Sequence, residues 1–406
     1  MAELDELPFN PEIENFNLLV IDPQNDFMKL PYRDNVNSKD REEGKLAVAN
    51  SDRDVPRISQ FIKEHKENIN HVFVSLDTHT LGHIGHSLFI REDQKYGNMF
   101  DIKANLNGDF KQKEQEVFKK YLSIYISHLG STHPAMSWPI HCLEGSDGWK
   151  VNPSILEALR VLEGEGKVTY HIKGQNQLAE MYSIMKAEVP VEDILEEMVE
   201  TGSDEADIQF IKSLMYSPYN PILEEDEPKF KVVVNADIAS LKPEQFNQYT
   251  PLKTFPSSPE EIQKMIGSKN LQTTFNKQLF KDLTRHTENG QVVIGKIPIL
   301  VCGEARSHCV RASTRDIVEE IRRKGLQNKV VLIENCASKV VLSNPLQFEE
   351  IDKGFINDMK QGTLSFPPYN TTTIMAEEAK DEKKGGKSSR RRHPKKKAGK
   401  RRSSRR

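Results

Sequence analysis

The side chains of this sequence best suited to chemistry are Cys309, Lys173, Asp22 and the set Asp77, His79, His83 and His141. A cysteine thiolate attacks carbonyl carbon well once its pKa is lowered, and a neighbouring ammonium lowers it by charge pairing. A carboxylate within hydrogen-bond reach can take the thiol proton and return it to a leaving amine. Cys309, Lys173 and Asp22 are of the types needed for nucleophile, cation and base. Taken singly, each has a plainer reading: an inert core thiol, a strand-end lysine in water, a turn residue ahead of Pro23. Asp77 and His79 stand two apart, so at the end of a strand both face the same side. His83 follows a turn later, with His86 able to take its place, and His141 comes from a distant loop. One carboxylate with two or three imidazoles suits Zn²⁺, Fe²⁺ or Mn²⁺ and leaves positions open for water or substrate.

These residues lie at or just past short apolar runs. Runs at 17–21, 71–76, 168–172 and 297–301 are too short for helices and read as buried parallel strands, with a last strand at 329–333. Helical spacing covers 55–65 through Ile58, Phe61 and Ile62, and a further helix falls near 111–129. Residues 176–202 read as an acidic helical region broken by Pro190, and 203–270 as polar and Pro-rich with a short strand at 231–234. A helix beginning at Cys309 is supported by Val310, Thr314, Ile317 and Ile321 on one face, with Gly325 as its stop. A thiol there feels unpaired N–H groups and a positive dipole end, which favour thiolate. Strands alternating with helices predict an α/β fold, a Rossmann-like and mostly parallel β-sheet flanked by helices on both faces. Ligands of such sheets bind outside the carboxyl ends of the strands, where Asp22, Asp77, His79, Lys173 and Cys309 gather. Residues 87–137 and 184–270 read as insertions in a domain over 1–375, followed by a disordered basic tail over 376–406.

The net charge of −3 conceals two opposite parts. Of 57 Lys and Arg, 14 fall in 383–406, which holds no acid; the rest of the chain carries 43 basic against 60 acidic residues, a net −17. The tail reads as a patch for nucleic acid or a nuclear import receptor, or as a solvated segment clinging to its acidic body. No aromatic residue interrupts it, so any nucleic-acid contact would be phosphate-driven and salt-sensitive. Ser388, Ser389, Ser403 and Ser404 are candidate phosphorylation sites that would weaken it. The acidic start lacks an apolar run, no stretch approaches a membrane span, and four cysteines are too few for a disulfide scaffold. These features predict a cytoplasmic protein, nuclear where the tail acts as a signal, not secreted and without a membrane partner. A homo-oligomer stays open.

Five stretches in order resemble the isochorismatase superfamily of cysteine hydrolases, and most of all its metal-containing nicotinamidase branch. They are Val20-Ile21-Asp22-Pro23-Gln24-Asn25-Asp26-Phe27; Asp77-Thr78-His79 with His83; and Trp138-Pro139-Ile140-His141-Cys142 followed by Glu144-Gly145-Ser146-Asp147-Gly148. Lys173-Gly174 with Tyr182-Ser183, and Gly303-Glu304-Ala305-Arg306-Ser307-His308-Cys309-Val310, complete the set. The resemblance implies Asp22, Lys173 and Cys309 as the triad, with Asp77, His79, His83 and His141 as ligands of one divalent metal, Zn²⁺ first. It implies that Phe27 and Trp138 wall an aromatic substrate. It also implies a cis Glu304–Ala305 bond, with the N–H groups of Ala305 and Cys309 forming an oxyanion hole. The chain departs from the usual pattern in its two insertions, in the wide separation of Lys173 from Cys309, and in Gly82-His83-Ile84-Gly85-His86 around the fourth ligand.

The implied activity is hydrolysis of a small amide, nicotinamide to nicotinate and ammonia, through a thioacyl group on Cys309. Two other readings stand beside it: hydrolysis of another small amide or ureido compound, and a nucleic-acid-associated binding protein on an inactive hydrolase fold.

Overall fold

Short runs, most of them apolar, become the six strands of one parallel sheet, in the spatial order Val168–Lys173, Ile69–Asp77, Phe16–Ile21, Ile299–Gly303, Val330–Ile333 and Thr371–Ile374. In this computed structural model the described residues are 10–12, 14–29, 43–80, 82–86, 112–129, 138–216, 270–341, 345–364 and 371–377. The sheet strands are β1 (Phe16–Ile21), β2 (Ile69–Asp77), β3 (Val168–Lys173), β6 (Ile299–Gly303), β7 (Val330–Ile333) and β8 (Thr371–Ile374). A separate antiparallel hairpin joins β4 (Arg285–Glu288) to β5 (Gln291–Ile294). Strand order reverses between β1 and β6, which pair in register from Asn17↔Ile299 to Ile21↔Gly303. That reversal is the switch point at which doubly wound sheets open a crevice beyond their carboxyl ends.

The period of two along each strand sends alternate residues to opposite faces. Leu18 and Val20 of β1 join Val55, Ile58, Phe61 and Ile62 of α1 (Ser51–Glu64) and Ile155, Leu159 and Leu162 of α3 (Pro153–Gly164). Leu19 and Ile21 face the other way, toward α6 (Lys277–Leu283), α7 (Arg311–Arg323) and α8 (Pro345–Gln361). Helices therefore cover both faces, and the α/β fold class holds. A third apolar cluster joins α2 (Gln112–Leu129) to α4 (Val191–Glu200), α5 (Glu205–Ser213) and the segment around Leu178 and Met181. The described parts of the two predicted insertions thus share one small core.

Several sequence expectations need correction. Residues 176–190 contain no regular helix; Pro190 instead caps α4, because its fixed φ suits a helix start and not a helix interior. A capping box between Asp204 and Asp207 starts α5 inside the stretch read as poorly periodic. Cys309 does not open a helix: it lies in a wide π-helical turn, Arg306–Val310, before α7. Strand 329–333 is not the last, since β8 pairs beyond it, and Ala376, placed in the tail, is buried and bonded to Asn335 through both N–H and C=O. The strand at 231–234, the basic segment 383–406 and its serines lie outside the described residues. Among the described residues no helix is long and apolar enough to cross a membrane.

Candidate active site

Asp22 follows β1 with φ 45°, a left-handed conformation that a non-glycine residue seldom adopts. Ser75 of β2 holds it there, accepting from the Asp22 N–H at 2.9 Å and donating its hydroxyl to Oδ1 at 2.6 Å. Asp77 and Lys173 end their strands as register partners, which places carboxylate and ammonium side by side. Gln24 clamps the Asp77 backbone, donating to its carbonyl and accepting from its N–H, both at 2.7 Å. Gly174 adopts φ +76°, and a Cβ there would meet His79 Cε1 at 2.9 Å, so the residue after Lys173 must lack a side chain. Cys309 is carried by the π turn, which is closed by a bond from the Val310 N–H to the Ala305 carbonyl at 3.2 Å.

These elements converge on Lys173, whose side chain is 1% exposed. Its Nζ lies 3.1 Å from Asp22 Oδ2, 2.9 Å from Asp77 Oδ1, 3.0 Å from the Met181 carbonyl and 3.6 Å from Cys309 Sγ. Burial works against its charge, but Asp22, Asp77 and Cys309 outweigh it and hold its pKa well above the usual lysine value. Burial pushes the Asp22 carboxyl up, with Lys173 pulling the other way. Burial also drives the Cys309 thiol well above its ordinary value, Lys173 opposes this, and the neighbouring Asp22 and Asp77 carboxylates raise it further. The resting nucleophile is therefore a thiol. The helix start that was expected to favour thiolate begins two residues later, and burial favours the neutral thiol.

Asp77, His79 and His141 bring Oδ2 and two imidazole nitrogens within 4.8 Å of one another. His79 Nε2 lies 2.9 Å and His141 Nε2 3.3 Å from Asp77 Oδ2. Each ring turns its Nδ1 to a backbone carbonyl, Gly174 at 3.3 Å and Pro139 at 2.7 Å. With those nitrogens protonated, both Nε2 lone pairs face the carboxylate, an arrangement that fits a divalent metal with its supporting hydrogen bonds. His83 fits less directly: its Nε2 reaches the Ala179 carbonyl and its Nδ1 accepts from the Gly85 N–H. With His79 and Glu180 it forms a second potential ligand set. His86 joins the same group of rings edge-on, its ring centroid 5.1 Å from His79 and 5.3 Å from His141.

Phe27 meets the His141 ring edge-on at 5.5 Å, and Trp138 donates its indole N–H to Tyr182 Oη at 2.9 Å. Both lie in one apolar cluster with Ala305 and Cys309. Ala305 is buried in the nucleophile turn, and the Glu304–Ala305 bond is cis, as the resemblance implied. His308 adds a ring beside Trp138 at 5.1 Å and Tyr182 at 5.5 Å.

Sequence reading missed Ser75, Glu180 and His308. Ser75 carried a signal, being a polar residue in an apolar strand two positions before Asp77, on the same face. Glu180 carried none, because its loop has no periodicity and is held by α2: its N–H donates to Tyr125 Oη at 3.2 Å, while Tyr121 Oη donates to the Leu178 carbonyl at 2.8 Å.

The molecule is thus a doubly wound α/β protein with a Cys-Lys-Asp trio and an Asp-His-His cluster joined through one lysine at its switch point. No family model and no curated protein matches the chain. Among solved structures it is similar to the yeast nicotinamidase Pnc1p, at 14% identity and a TM-score of 0.43 over 88% of this chain and 98% of that one. An Acinetobacter baumanii nicotinamidase/pyrazinamidase is similar at 14% identity and TM-score 0.37, over 89% and 96% of the two chains. A Pyrococcus horikoshii pyrazinamidase in complex with zinc is similar at 12% identity and TM-score 0.35, over 88% and 98%.

Proposed function

We propose that this protein hydrolyses a small aromatic amide, with nicotinamide the first candidate, through a thioester on Cys309. The observation that carries the reading is the fourfold contact of Lys173 Nζ with Asp22, Asp77, the Met181 carbonyl and Cys309 Sγ. It ties nucleophile, base and candidate metal ligands into one buried unit.

On this reading Asp22 takes the Cys309 S–H proton as sulfur attacks the amide carbon. Negative charge then grows on the former carbonyl oxygen, for which the N–H groups of Ala305 and Cys309 are the proposed donors. The tetrahedral adduct collapses with its C–N bond breaking, and Asp22 returns the proton to the departing ammonia. Asp22 next takes a proton from water, whose oxygen attacks the thioester; the carboxylate leaves and Cys309 recovers its proton. Lys173 stays charged throughout and steadies whichever neighbour is anionic. Asp77, His79 and His141, with Glu180 or His83 beside them, would hold a divalent metal that, when bound, supplies a Lewis acid for a ring nitrogen or a water. Phe27, Trp138 and His308 offer flat apolar surface to an aromatic ring.

Ammonia release by the purified protein from nicotinamide and a panel of small amides and ureido compounds tests the reading. Release lost in Cys309→Ala, with the variant folded, is expected. Release that survives this change removes the scheme.

A further inference from the structure

At the start of the nucleophile turn, the carboxyl of Glu304 neighbours a second carboxyl away from solvent. Glu304 is 0% and Asp54 of α1 2% exposed, and the two carboxyl groups are close enough that each acts on the other's titration. Neither Asp54 Oδ2 nor Glu304 Oε1 has a donor among the described groups. Two carboxylates in contact repel, and the contact becomes a hydrogen bond when one proton lies between them.

The surrounding charges leave room for one negative charge on this pair and no more. Arg306 is committed to Asp352 of α8, with Nε at 2.8 Å from Oδ1 and Nη2 at 2.9 Å from Oδ2. Its Nη1 also donates to the carbonyls of Glu334 and Ala337 at 2.7 and 2.8 Å. Arg57 of α1 lies 3.8 Å from Asp54 Oδ1. Further titratable neighbours among the described residues are the thiols of Cys302 on β6 and Cys336 after β7, both neutral because burial raises them. Burial, then the charge of Asp54, drives the Glu304 carboxyl well above its ordinary value, and burial raises Asp54 too, so a proton is favoured on the pair.

This pair bears directly on the turn. Glu304 donates its N–H to the Ile21 carbonyl at 2.8 Å and accepts from the Ser338 N–H through Oε2 at 3.2 Å. Arg306 donates its N–H to the Ser338 carbonyl at 2.7 Å. Ala305 is therefore bracketed by two residues fastened to the same segment, with Cys309 following in the π turn. We propose that Glu304 is a positioning residue: it shares one proton with Asp54, and that proton keeps the turn bearing Ala305 and Cys309 in its working shape. Loss of the proton places two negative charges in a buried site with cation charge for one, and the turn gives way. The device rests on the reading of Cys309 as nucleophile and adds to it an alkaline limit set outside the reacting groups.

Four proteins tested across about pH 6–10 decide the matter: wild type, Glu304→Ala, Glu304→Gln and Asp54→Asn. Glutamine carries permanently the hydrogen that the pair otherwise shares. Glu304→Ala is expected to lower kcat at least about tenfold with KM within about twofold, and Glu304→Gln to recover it. The alkaline fall of kcat should move up by at least about one pH unit in Glu304→Gln and in Asp54→Asn, the latter serving if the alanine variant does not fold. A second readout needs no substrate: the rate at which a haloacetamide labels Cys309, followed by peptide mass spectrometry. Relative to wild type, labelling of Glu304→Gln should rise about tenfold or more between the two ends of the range. If no amide is turned over by any of the four, the hydrolase reading fails and the labelling order alone judges the pair. An alkaline profile identical in wild type and Glu304→Gln overturns the proposal.

Discussion

Replacing Lys173 with Met removes the one cation between two buried carboxylates and nearly preserves side-chain length. Its Nζ lies 3.1 Å from Asp22 Oδ2 and 2.9 Å from Asp77 Oδ1, with both acids almost fully buried. At an effective dielectric near 20, each contact is worth roughly 5 kcal/mol of attraction. Much of that is offset in the wild type by the cost of desolvating the ammonium, which the methionine avoids. Removing one partner of a buried pair leaves the other charge uncompensated, so the expected net loss is about 3–5 kcal/mol. Against a total stability of roughly 5–15 kcal/mol, the variant should fold but unfold at much lower denaturant. The loss must also depend on pH. Without Lys173 the folded-state pKa of Asp22 rises further above its ordinary value of 3.8, in the direction burial already pushes it. A raised carboxyl pKa gives stability that is complete below the unfolded value and is lost as pH rises toward the folded one. The deficit should therefore be smaller near about pH 5 than near about pH 8. Urea unfolding of chelator-treated wild type and Lys173→Met at both pH values measures it, chelation ensuring that Asp77 faces no bound cation. With its cation gone Asp22 is also a less effective partner for the thiol proton and Cys309 loses the charge that favours its anion, so kcat/KM should fall at least about 100-fold. A loss below about 1 kcal/mol that is the same at both pH values would refute the electrostatic account.

Other expectations follow from single contacts. Ser75→Ala removes the 2.6 Å hydroxyl bond to Asp22 Oδ1, which favours the charged form; the acid limb of the pH–rate profile should move up by about one unit. Asp22→Asn leaves the thiol without an acceptor that can carry a proton, and kcat should fall roughly 10²–10⁴-fold with the melting temperature measured alongside. His141→Ala should abolish stoichiometric zinc retention after dialysis, read by elemental analysis, while Glu180→Gln should weaken it by about 10–100-fold. Gly174→Ala forces a Cβ into His79 at 2.9 Å with φ at +76°; it should cost at least about 1 kcal/mol and lower zinc retention together.

Strand ends were the most legible part of this chain, because a short apolar run followed by a charged or turn residue has few alternatives. Asp22, Asp77 and Lys173 were placed that way, and the parallel sheet followed from them. Strand β8 was not legible: Thr371-Thr372-Thr373-Ile374 is polar enough for a loop, and becomes a strand only because β7 offers an unpaired edge. Helix α1 begins four residues before the predicted start, because the apolar spacing through Ile58, Phe61 and Ile62 does not extend into the polar first turn Ser51–Asp54. Within the site, partners contributed by other elements stayed hidden. Asp54 falls just ahead of the predicted helix start, and Glu304 reads as a polar turn residue; only folding brings them near each other. The resting protonation of Cys309 was not legible for the same reason, since desolvation belongs to the assembled core and not to the local sequence.

The most direct test of the central claim is to trap the covalent intermediate. Wild-type protein mixed with excess nicotinamide is quenched in acid, digested and examined by mass spectrometry for a nicotinoyl thioester. The account predicts that group on the peptide holding Cys309, formed with ammonia release and absent from Cys309→Ala. Steady turnover of nicotinamide that continues in Cys309→Ala, with no acyl group on that peptide in wild type, would contradict it.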